Sequence, residues 1–323
     1  MHRGCQLLVA GLGLLQAAGV IAQNKAAYPV KPVRVIVASA AGGASDTQGR
    51  LFAKKIADSL GQQFIIDNRP GASGTIGYVT AAKAPPDGYT LLVVVPTLTF
   101  GPALHSKLPY DPLKDFAPVS FVVRAPYLLV AHPALPAKTL KEALAIARKR
   151  PDELSMGATN GSPNHLAAAW FASMAKVKIR LIPYKGIGQV MVDAMSGEIQ
   201  MMFGPLIVTR NHVQTGRLRA LAVSGATRST VLPDLPTVAE SGVPGYDMIT
   251  WHGWVAPAGT PPAIVHLLSA ELAKAVKAPD VVKALQQEGG EPVGSTPAEF
   301  QKLIATEVPR WHRIVKEAGM RIE

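Results

Sequence analysis

The sequence predicts an α/β protein with two lobes, because of its strand and helix pattern and its length. Short β-rich runs alternate with segments of helical periodicity, which is typical of βαβ units and largely parallel sheets. Removal of a 22-residue leader, justified below, would leave 301 of the 323 residues. Because single hydrophobic cores rarely grow beyond about 250 to 300 residues, this length favours two cores.

The amino-terminal segment is predicted to be a signal peptide. A basic start, His2-Arg3, precedes an apolar run over residues 7–22 that holds no acidic residue. The run ends Val20-Ile21-Ala22, and these short side chains favour cleavage after Ala22. A membrane anchor is the alternative, but the run contains Gln16 and is short against the ~20 apolar residues of a spanning helix. We therefore expect export to the periplasm with loss of residues 1–22.

Composition argues against several functions. Cys5, the only cysteine, lies within the predicted leader, so disulfides and cysteine chemistry are not expected in the mature chain. Without Arg3, 32 basic and 22 acidic residues remain, a formal charge of +10. The basic residues are scattered, so we interpret the charge as solubility and mild anion steering, not nucleic-acid binding. The mature histidines never recur at metal-ligand spacing, and no metal site is expected.

The first βα units extend from residue 33 to residue 95. A strand at 33–38 precedes a loop of small residues and a helix with Phe52, Ile56 and Leu60 on one face. Ser45-Asp46-Thr47-Gln48 fits a capping box and is expected to begin that helix. The next predicted elements are a strand at 64–66, a helix ending at Ala84 and a buried strand at 91–95.

Further strands and helices alternate toward the carboxyl terminus. Two separate strands are expected at 121–123 and 127–131, followed by a helix that begins at the capping box Thr139-Leu140-Lys141-Glu142. Ser162-Pro163 predicts another helix start, an N-cap followed by proline at the first helical position. Three helices close the chain, after strands predicted at 154–156, 179–182, 199–203, 218–223 and 251–256.

Two motifs that suggest enzymes or cofactors fit poorly. The segment 160–164 offers a strand-to-helix turn but lacks the two glycines of a nucleophile elbow, and Ser162 is better explained as a helix cap. A periplasmic serine-type hydrolase using Ser162 and His165 remains the alternative function. The segment Gly71–Gly77 lacks the spacing of a dinucleotide fingerprint. No cofactor is expected, and the leading interpretation is that the chain is not an enzyme.

Two helix amino termini are the remaining candidates for a binding site, one in each predicted lobe. Their backbone N–H groups and helix dipoles attract carboxylate or phosphate. Gly42 and Gly43 permit close approach to the backbone, while Thr159, Ser162 and Asn164 add neutral hydrogen-bonding groups. Most capped helix ends bind only water, so neither terminus is sufficient evidence by itself.

A set of motifs spanning nearly the whole mature chain resembles one family. They occur in this order: Tyr28-Pro29-x-Lys31-Pro32-Val33-Arg34, Gly42-Gly43-x-x-Asp46-x-x-x-Arg50, Asp67-Asn68-Arg69-Pro70-Gly71-Ala72, Pro86-Asp87-Gly88-Tyr89-Thr90-Leu91, Lys107-Leu108-Pro109-Tyr110-Asp111-Pro112, Pro183-Tyr184-Lys185-Gly186, Leu218-Arg219-Ala220-Leu221-Ala222-Val223 and Ala256-Pro257-Ala258-Gly259-Thr260-Pro261. The combination is similar to that of the Bug family, the extracytoplasmic receptors associated with tripartite tricarboxylate transporters.

The resemblance implies a two-lobe Venus-flytrap fold of the type II periplasmic binding class. Lobe one would comprise residues 23–124 plus 249–323, and lobe two residues 125–248. Family ligands are typically small carboxylates, held by backbone amides and small polar groups from both lobes, often through water. The resemblance also implies a turn at Gly204-Pro205 near the cleft. Carried onto this chain, it implies a ligand-binding set of Ser39, Ala41, Gly42, Gly43, Ser45, Asp46, Thr97, Thr159, Ser162, Asn164, His165 and Gly204.

The resemblance also implies partners and reveals a departure. A monomeric receptor would pass its ligand to membrane permease subunits or present it to a sensor kinase.

The family commonly has proline followed by Phe or Tyr after the first strand, where this chain has Ala38 and Ser39. An aromatic wall of about 150 to 250 Å² is therefore not expected. Asp46 would partly oppose a bound anion, so it is interpreted as ordering a bridging water or accepting a ligand ammonium.

Overall fold

The computed structural model describes residues 28–105 and 107–317. The signal-peptide prediction concerns residues 1–22 and lies outside the described residues. Within them, strands and helices alternate, which confirms the predicted α/β class. The strands of this part are β1 Val33–Val37, β2 Phe64–Asn68, β3 Thr90–Val94, β4 Phe116–Ala131, β5 Ser155–Thr159, β6 Arg180–Tyr184, β7 Met201–Pro205, β8 Arg219–Val223, β9 Ile249–Pro257 and β10 Glu291–Pro292.

The α-helices of the described chain include the three predicted at its end. Thr139 and Glu142 form the predicted capping box, each side chain accepting the other residue's backbone N–H. None of the helices described is both long and apolar enough to cross a membrane. Their bounds are α1 Ala44–Leu60, α2 Thr75–Ala82, α3 Thr97–Leu104, α4 Leu140–Lys149, α5 Pro163–Ala175, α6 Ile187–Ser196, α7 Leu206–Gln214, α8 Pro262–Ala275, α9 Pro279–Gln287 and α10 Pro297–Glu317.

The strands form two sheet regions that share β4. The first region has the order β2-β1-β3-β9-β4, with β10 also on β4, and the second comprises β4, β7, β8, β5 and β6. β9 pairs with β4 from Phe116 to Pro126, whereas β7 pairs with it from Tyr127 to Ala131. The prediction of two strands at 121–123 and 127–131 is therefore wrong. Residues 124–126 interrupt the apolar pattern, but β9 continues its pairing across them.

Parallel pairing brings the predicted site loops to strand ends. β1 is parallel to β2 and β3, and β5 is parallel to β6 and β7. The carboxyl ends of β1 and β2 consequently meet, with Val37 opposite Asn68. In the second sheet region, Thr159 at the end of β5 lies opposite Tyr184. Ligands of open α/β sheets bind at such carboxyl ends, so the loops after β1 and β5 are suitably placed.

Helix α10 packs into two hydrophobic cores. Phe300 and Ile304 in its first half join a cluster that includes residues of β1, β3 and β9. Trp311 in its second half joins a different cluster with Trp170 of α5 and residues of the second sheet region. Between them, buried Glu307 accepts hydrogen bonds from Thr99 Oγ1 at 2.7 Å and from the indole of Trp251 at 3.1 Å. Burial raises the pKa of Glu307 above its usual range.

Candidate ligand-binding site

The loop after β1 is organised by the carboxylate of Asp46, whose residue is only 3% exposed. Asp46 Oδ2 accepts hydrogen bonds from the backbone N–H of Gly42 at 2.9 Å and from Arg50 Nε at 3.0 Å. Asp46 Oδ1 accepts from Asn68 Nδ2 and pairs with the second guanidinium nitrogen of Arg50, both at 3.0 Å. The hydrogen bond from Arg50 is the main cause that lowers the pKa of Asp46 to about 2. The carboxylate is thus ionised and fully engaged within the protein.

Helix α1 begins at Ala44 with Gly43 as its N-cap, so the predicted capping box at Ser45–Gln48 is wrong. Gly42 has φ +82°, a conformation that glycine adopts at little cost, and Asp46 reaches back to its N–H. The carboxylate of the first helical turn therefore fixes the loop before the helix and does not cap the helix's own N–H groups. Because Asp46 occupies the Gly42 N–H, the amides of Ala44 and Ser45, which lack intrahelical acceptors, are better placed to meet an anion.

Ser39 and Thr97 occupy neighbouring strand ends of the first sheet region. The backbone carbonyl of Ser39 accepts from Asn68 Nδ2 at 3.1 Å, while its Oγ is buried without a hydrogen-bond partner in the described chain. Thr97 begins α3, and its hydroxyl is hydrogen-bonded to that of Tyr78. Burial raises the pKa of Tyr78 to about 12, so this phenol stays protonated at neutral pH.

The loop after β5 has a different hydrogen-bond pattern. Ser162 is the N-cap of α5 as predicted, but its hydroxyl accepts no helix N–H. Its single hydrogen has two acceptors within reach, the Thr159 carbonyl at 2.7 Å and Asn164 Oδ1. Asn164 is 5% exposed, and no acceptor for its Nδ2 is found in residues 28–105 and 107–317. A buried amide donor without an acceptor is costly, and it lies where the family resemblance implies a ligand.

His165 does not form a catalytic pair with Ser162. Its Nδ1 accepts the backbone N–H of Gly161 at 3.2 Å, so the neutral ring carries its proton on Nε2. Burial lowers the pKa of His165, which favours that neutral form. Because the Ser162 hydroxyl donates elsewhere, the geometry that a serine hydrolase requires is missing, and the alternative function is wrong. No group of three possible metal ligands occurs within the described ranges.

Gly204 lies within β7, not in the predicted turn. It is buried and pairs with Leu128 of β4. A Cβ added at Gly204 would lie 2.1 Å from Thr209 Cγ2, so packing of α7 against β7 requires glycine here. Pro205 ends the strand, and α7 follows directly at Leu206. The prediction of a turn failed because Gly-Pro is a turn signal that also serves as a strand end.

A cavity of about 90 Å³ lies between residues of α2 and α3 and the loop after β5. Its lining includes Ser73, Thr75, Thr97 and Gly161, so Thr97 is the member of the predicted set that contacts it. Ser73 and Thr75 were missed because their glycine-rich segment was tested only as a dinucleotide motif. Its position after β2, parallel to β1, was the signal that could have identified them. A larger pocket, of about 480 Å³, lies elsewhere, beside the start of β5.

The fold and the paired strand-end loops define the class of two-lobe periplasmic solute-binding proteins. The model of the tripartite tricarboxylate transporter family receptor, TctC, matches residues 49–320. The chain belongs to this family.

Three relatives support the assignment. Protein BugT of Bordetella pertussis is 36% identical over 321 residues, covering 98% of both chains. The R. palustris protein Rpa4515, solved with adipate, is 35% identical with a TM-score of 0.79 and covers 91% of this chain and 100% of its own. MatC (Rpa3494) of Rhodopseudomonas palustris, with bound malate, is 33% identical with a TM-score of 0.74, covering 89% and 100%. The predicted two-lobe fold and family are therefore confirmed.

Proposed function

We propose that this receptor binds a small dicarboxylate between the loop after β1 and the loop after β5. The adipate and malate of the two solved relatives are both dicarboxylates, which supports this ligand class. Each loop leads into a helix amino terminus, so the ligand carboxylate meets partial positive charge from both sides.

The buried amide of Asn164 is the observation that carries the proposal. Nδ2 can only donate, and Oδ1 already accepts from Ser162, so this side chain requires an acceptor such as a carboxylate oxygen or a bound water. In the loop after β1, the Oγ of Ser39, which has no partner among the described residues, provides a second neutral polar group. Arg50 neutralises Asp46, so we assign Asp46 to shaping its loop, not to binding a ligand ammonium.

We further propose that two lobes close around the ligand. Lobe one comprises residues 23–124 plus 249–323, and lobe two comprises residues 125–248. The exchange of partners along β4, from β9 to β7 between Pro126 and Tyr127, supports a boundary in this part of the chain. Closure would be a hinge motion with little change inside either lobe. Small-angle scattering should then give a smaller radius of gyration with saturating ligand, and an unchanged value would contradict closure.

Export, monomeric state and transfer of the ligand to a permease or sensor kinase belong to the same proposal. The family match supports a membrane partner, and periplasmic relatives support export. Intact mass of protein from a periplasmic extract should correspond to the loss of residues 1–22. A receptor also leaves its ligand unchanged, so incubation with esters and amides should give no product.

Calorimetry with matched acids tests the ligand class. Adipate and malate should bind with one site per chain, and hexanoate, which has the length of adipate and one carboxylate, should bind at least about tenfold more weakly because one set of charged hydrogen bonds is lost. Mass spectrometry of the ligand that co-purifies from the periplasm identifies the natural acid. Equal affinity for hexanoate and adipate would contradict the dicarboxylate assignment.

A further inference from the structure

The pocket beside the start of β5 has the features of a second binding site. It measures about 480 Å³, within the usual range for small-ligand pockets. Ser155 begins β5 near this pocket and Thr159 ends β5 at the candidate ligand site. Four residue steps along a strand span about 13 Å, so the pocket and the ligand site lie at opposite ends of β5.

The polar groups of this distal pocket are arranged to donate. Gln200 Oε1 accepts from Ser155 N and Oγ at 2.8 and 2.7 Å, so its amide nitrogen is the group left for an incoming ligand. His132 Nδ1 accepts from the Ala134 N–H at 3.2 Å, which puts the proton of the neutral ring on Nε2. Both side chains line the pocket, and both have used an acceptor atom internally.

Charge and apolar surface complete the lining. Lys149 is exposed and forms no ion pair with any described residue, whereas Arg150 pairs with Glu153, the one acidic residue of the lining, at 2.9 Å. Leu135, Leu154 and Ile146 supply an apolar wall. The carboxyl ends of α4 and α6 adjoin the pocket, and the basic run at residues 148–150 offsets their partial negative charge.

Additional basic residues extend along this edge of the second sheet region. The Asp152 N–H donates to the Lys178 carbonyl at 3.1 Å, and the Arg180 N–H donates to the Leu154 carbonyl at 2.9 Å. These bonds place Lys178 and Arg180, both exposed, beside the turn that lines the pocket. Such a field attracts anions and raises their rate of encounter.

We propose that this distal pocket binds a small organic acid, with a carboxylate at Lys149, His132 and Gln200 and an apolar body against Leu135, Leu154 and Ile146. It is distinct from the candidate ligand site and does not depend on the dicarboxylate assignment. An acid bound here would occupy the receptor independently of its transported solute.

Binding of benzoate to the mature protein, followed by ligand-observed NMR, tests the proposal. Ala134→Trp places a ring at the pocket mouth without removing the Ala134 N–H, and it should abolish binding. Lys149→Glu should weaken benzoate at least about fivefold because it replaces attraction by repulsion. Lys178→Glu is the matched control, since it reverses the same charge on the same edge outside the lining, and it should change affinity less than about twofold.

Four outcomes would overturn this assignment. Equal losses from Lys149→Glu and Lys178→Glu would mean that only overall charge matters, and unchanged binding by Ala134→Trp would place benzoate elsewhere. Loss of benzoate binding in Asn164→Asp would place it in the candidate ligand site instead. Inorganic phosphate should bind at least about fivefold more weakly than benzoate because it lacks an apolar body, and equal or tighter binding would contradict the role of the apolar wall. Thermal unfolding of each variant confirms that it is folded.

Discussion

The two loops of the candidate ligand site differ in how their most polar buried side chains, Asp46 and Asn164, are hydrogen-bonded. After β1, the buried Asp46 carboxylate has partners in Gly42, Arg50 and Asn68. After β5, the equally buried Asn164 donates no hydrogen bond from Nδ2 to any residue the structure describes. The buried charge of the first loop is therefore satisfied by the protein alone, although Ser39 Oγ in the same loop has no partner among the described residues. The buried amide of the second loop requires an acceptor from outside. Substitutions in the first should act mainly on stability, and substitutions in the second mainly on affinity.

The largest expected effect is a loss of adipate affinity in the Asn164→Asp variant. Two like charges 4 Å apart at an effective dielectric of 20 repel by about 4 kcal/mol, and a quarter of that already weakens binding about fivefold. A carboxylate in the first turn of α5 is favourable to the helix dipole, so folding should be preserved. Calorimetry with adipate measures the change.

Asn164→Ala separates charge from hydrogen bonding at the same position. It should cost about 0.5 to 1.5 kcal/mol of binding free energy, if it removes one neutral hydrogen bond. The order of affinity is then wild type, Ala, Asp. An Asp variant that is folded and binds as tightly as wild type would show that this terminus does not face the anion.

Asp46→Asn should show the opposite behaviour. The new amide would direct donor hydrogens toward the Gly42 N–H, Asn68 or Arg50, which are donors themselves. We expect the free energy of unfolding to fall by about 1 to 3 kcal/mol. Urea denaturation measures this change, and Asp58→Asn on the exposed side of α1 is the matched control. A loss of adipate affinity with unchanged stability would contradict the contrast between the loops.

Acid should remove the contribution of Asp46. Its folded pKa of about 2 lies below the ordinary 3.8, so its stabilisation is fully present above pH 3.8 and is lost as the pH falls toward 2. The shift corresponds to about 2 kcal/mol, which we reduce to about 1 to 2 because Arg50 is half exposed. The difference in unfolding free energy between wild type and Asp46→Asn should therefore shrink between pH 5 and pH 2.5. A constant difference would exclude Asp46 as its source.

Gly42→Ala is the mildest test. No atom lies within 4 Å of an added Cβ, so the cost arises only from φ +82° and should be about 1 kcal/mol of stability. Adipate affinity should fall less than in Asn164→Asp, since Asp46 already occupies the Gly42 N–H. A greater loss of affinity than in Asn164→Asp would reverse the roles of the two loops.

The sequence predicted the elements better than their hydrogen bonds. Apolar runs located β1 and β3, and capping signals located the starts of α4 and α5. The capping box at Ser45 failed because Asp46 has a partner 22 residues away, Asn68, which becomes a neighbour only when β2 pairs with β1. Local patterns describe contacts within a turn or two, and they carry no information on which strand ends meet.

The same limit applied to the site. Ser162 and Asn164 were named from a local helix-start signal, yet the direction of their hydrogen bonds depends on the Thr159 carbonyl and the burial of α5. Ser73 and Thr75 line the cavity with Thr97 because β2 and β3 flank β1, a fact of topology. The lobe boundaries and the ligand-binding set as a whole stay predictions, which the binding and scattering measurements address.

The anchoring of α10 in two cores has a mechanical consequence. Extended segments that connect two lobes can twist with little resistance. A helix that packs into one core through Phe300 and into another through Trp311 resists relative rotation of the two cores. Rotation of one lobe against the other must either bend α10 or displace Phe300 or Trp311 from close-packed side chains. Pro309 has no N–H, so one backbone hydrogen bond of the helix is missing between Phe300 and Trp311. The helix should bend most easily at this position. The bending stiffness of α10, as much as the solute, would then set the opening angle between the lobes of the empty receptor.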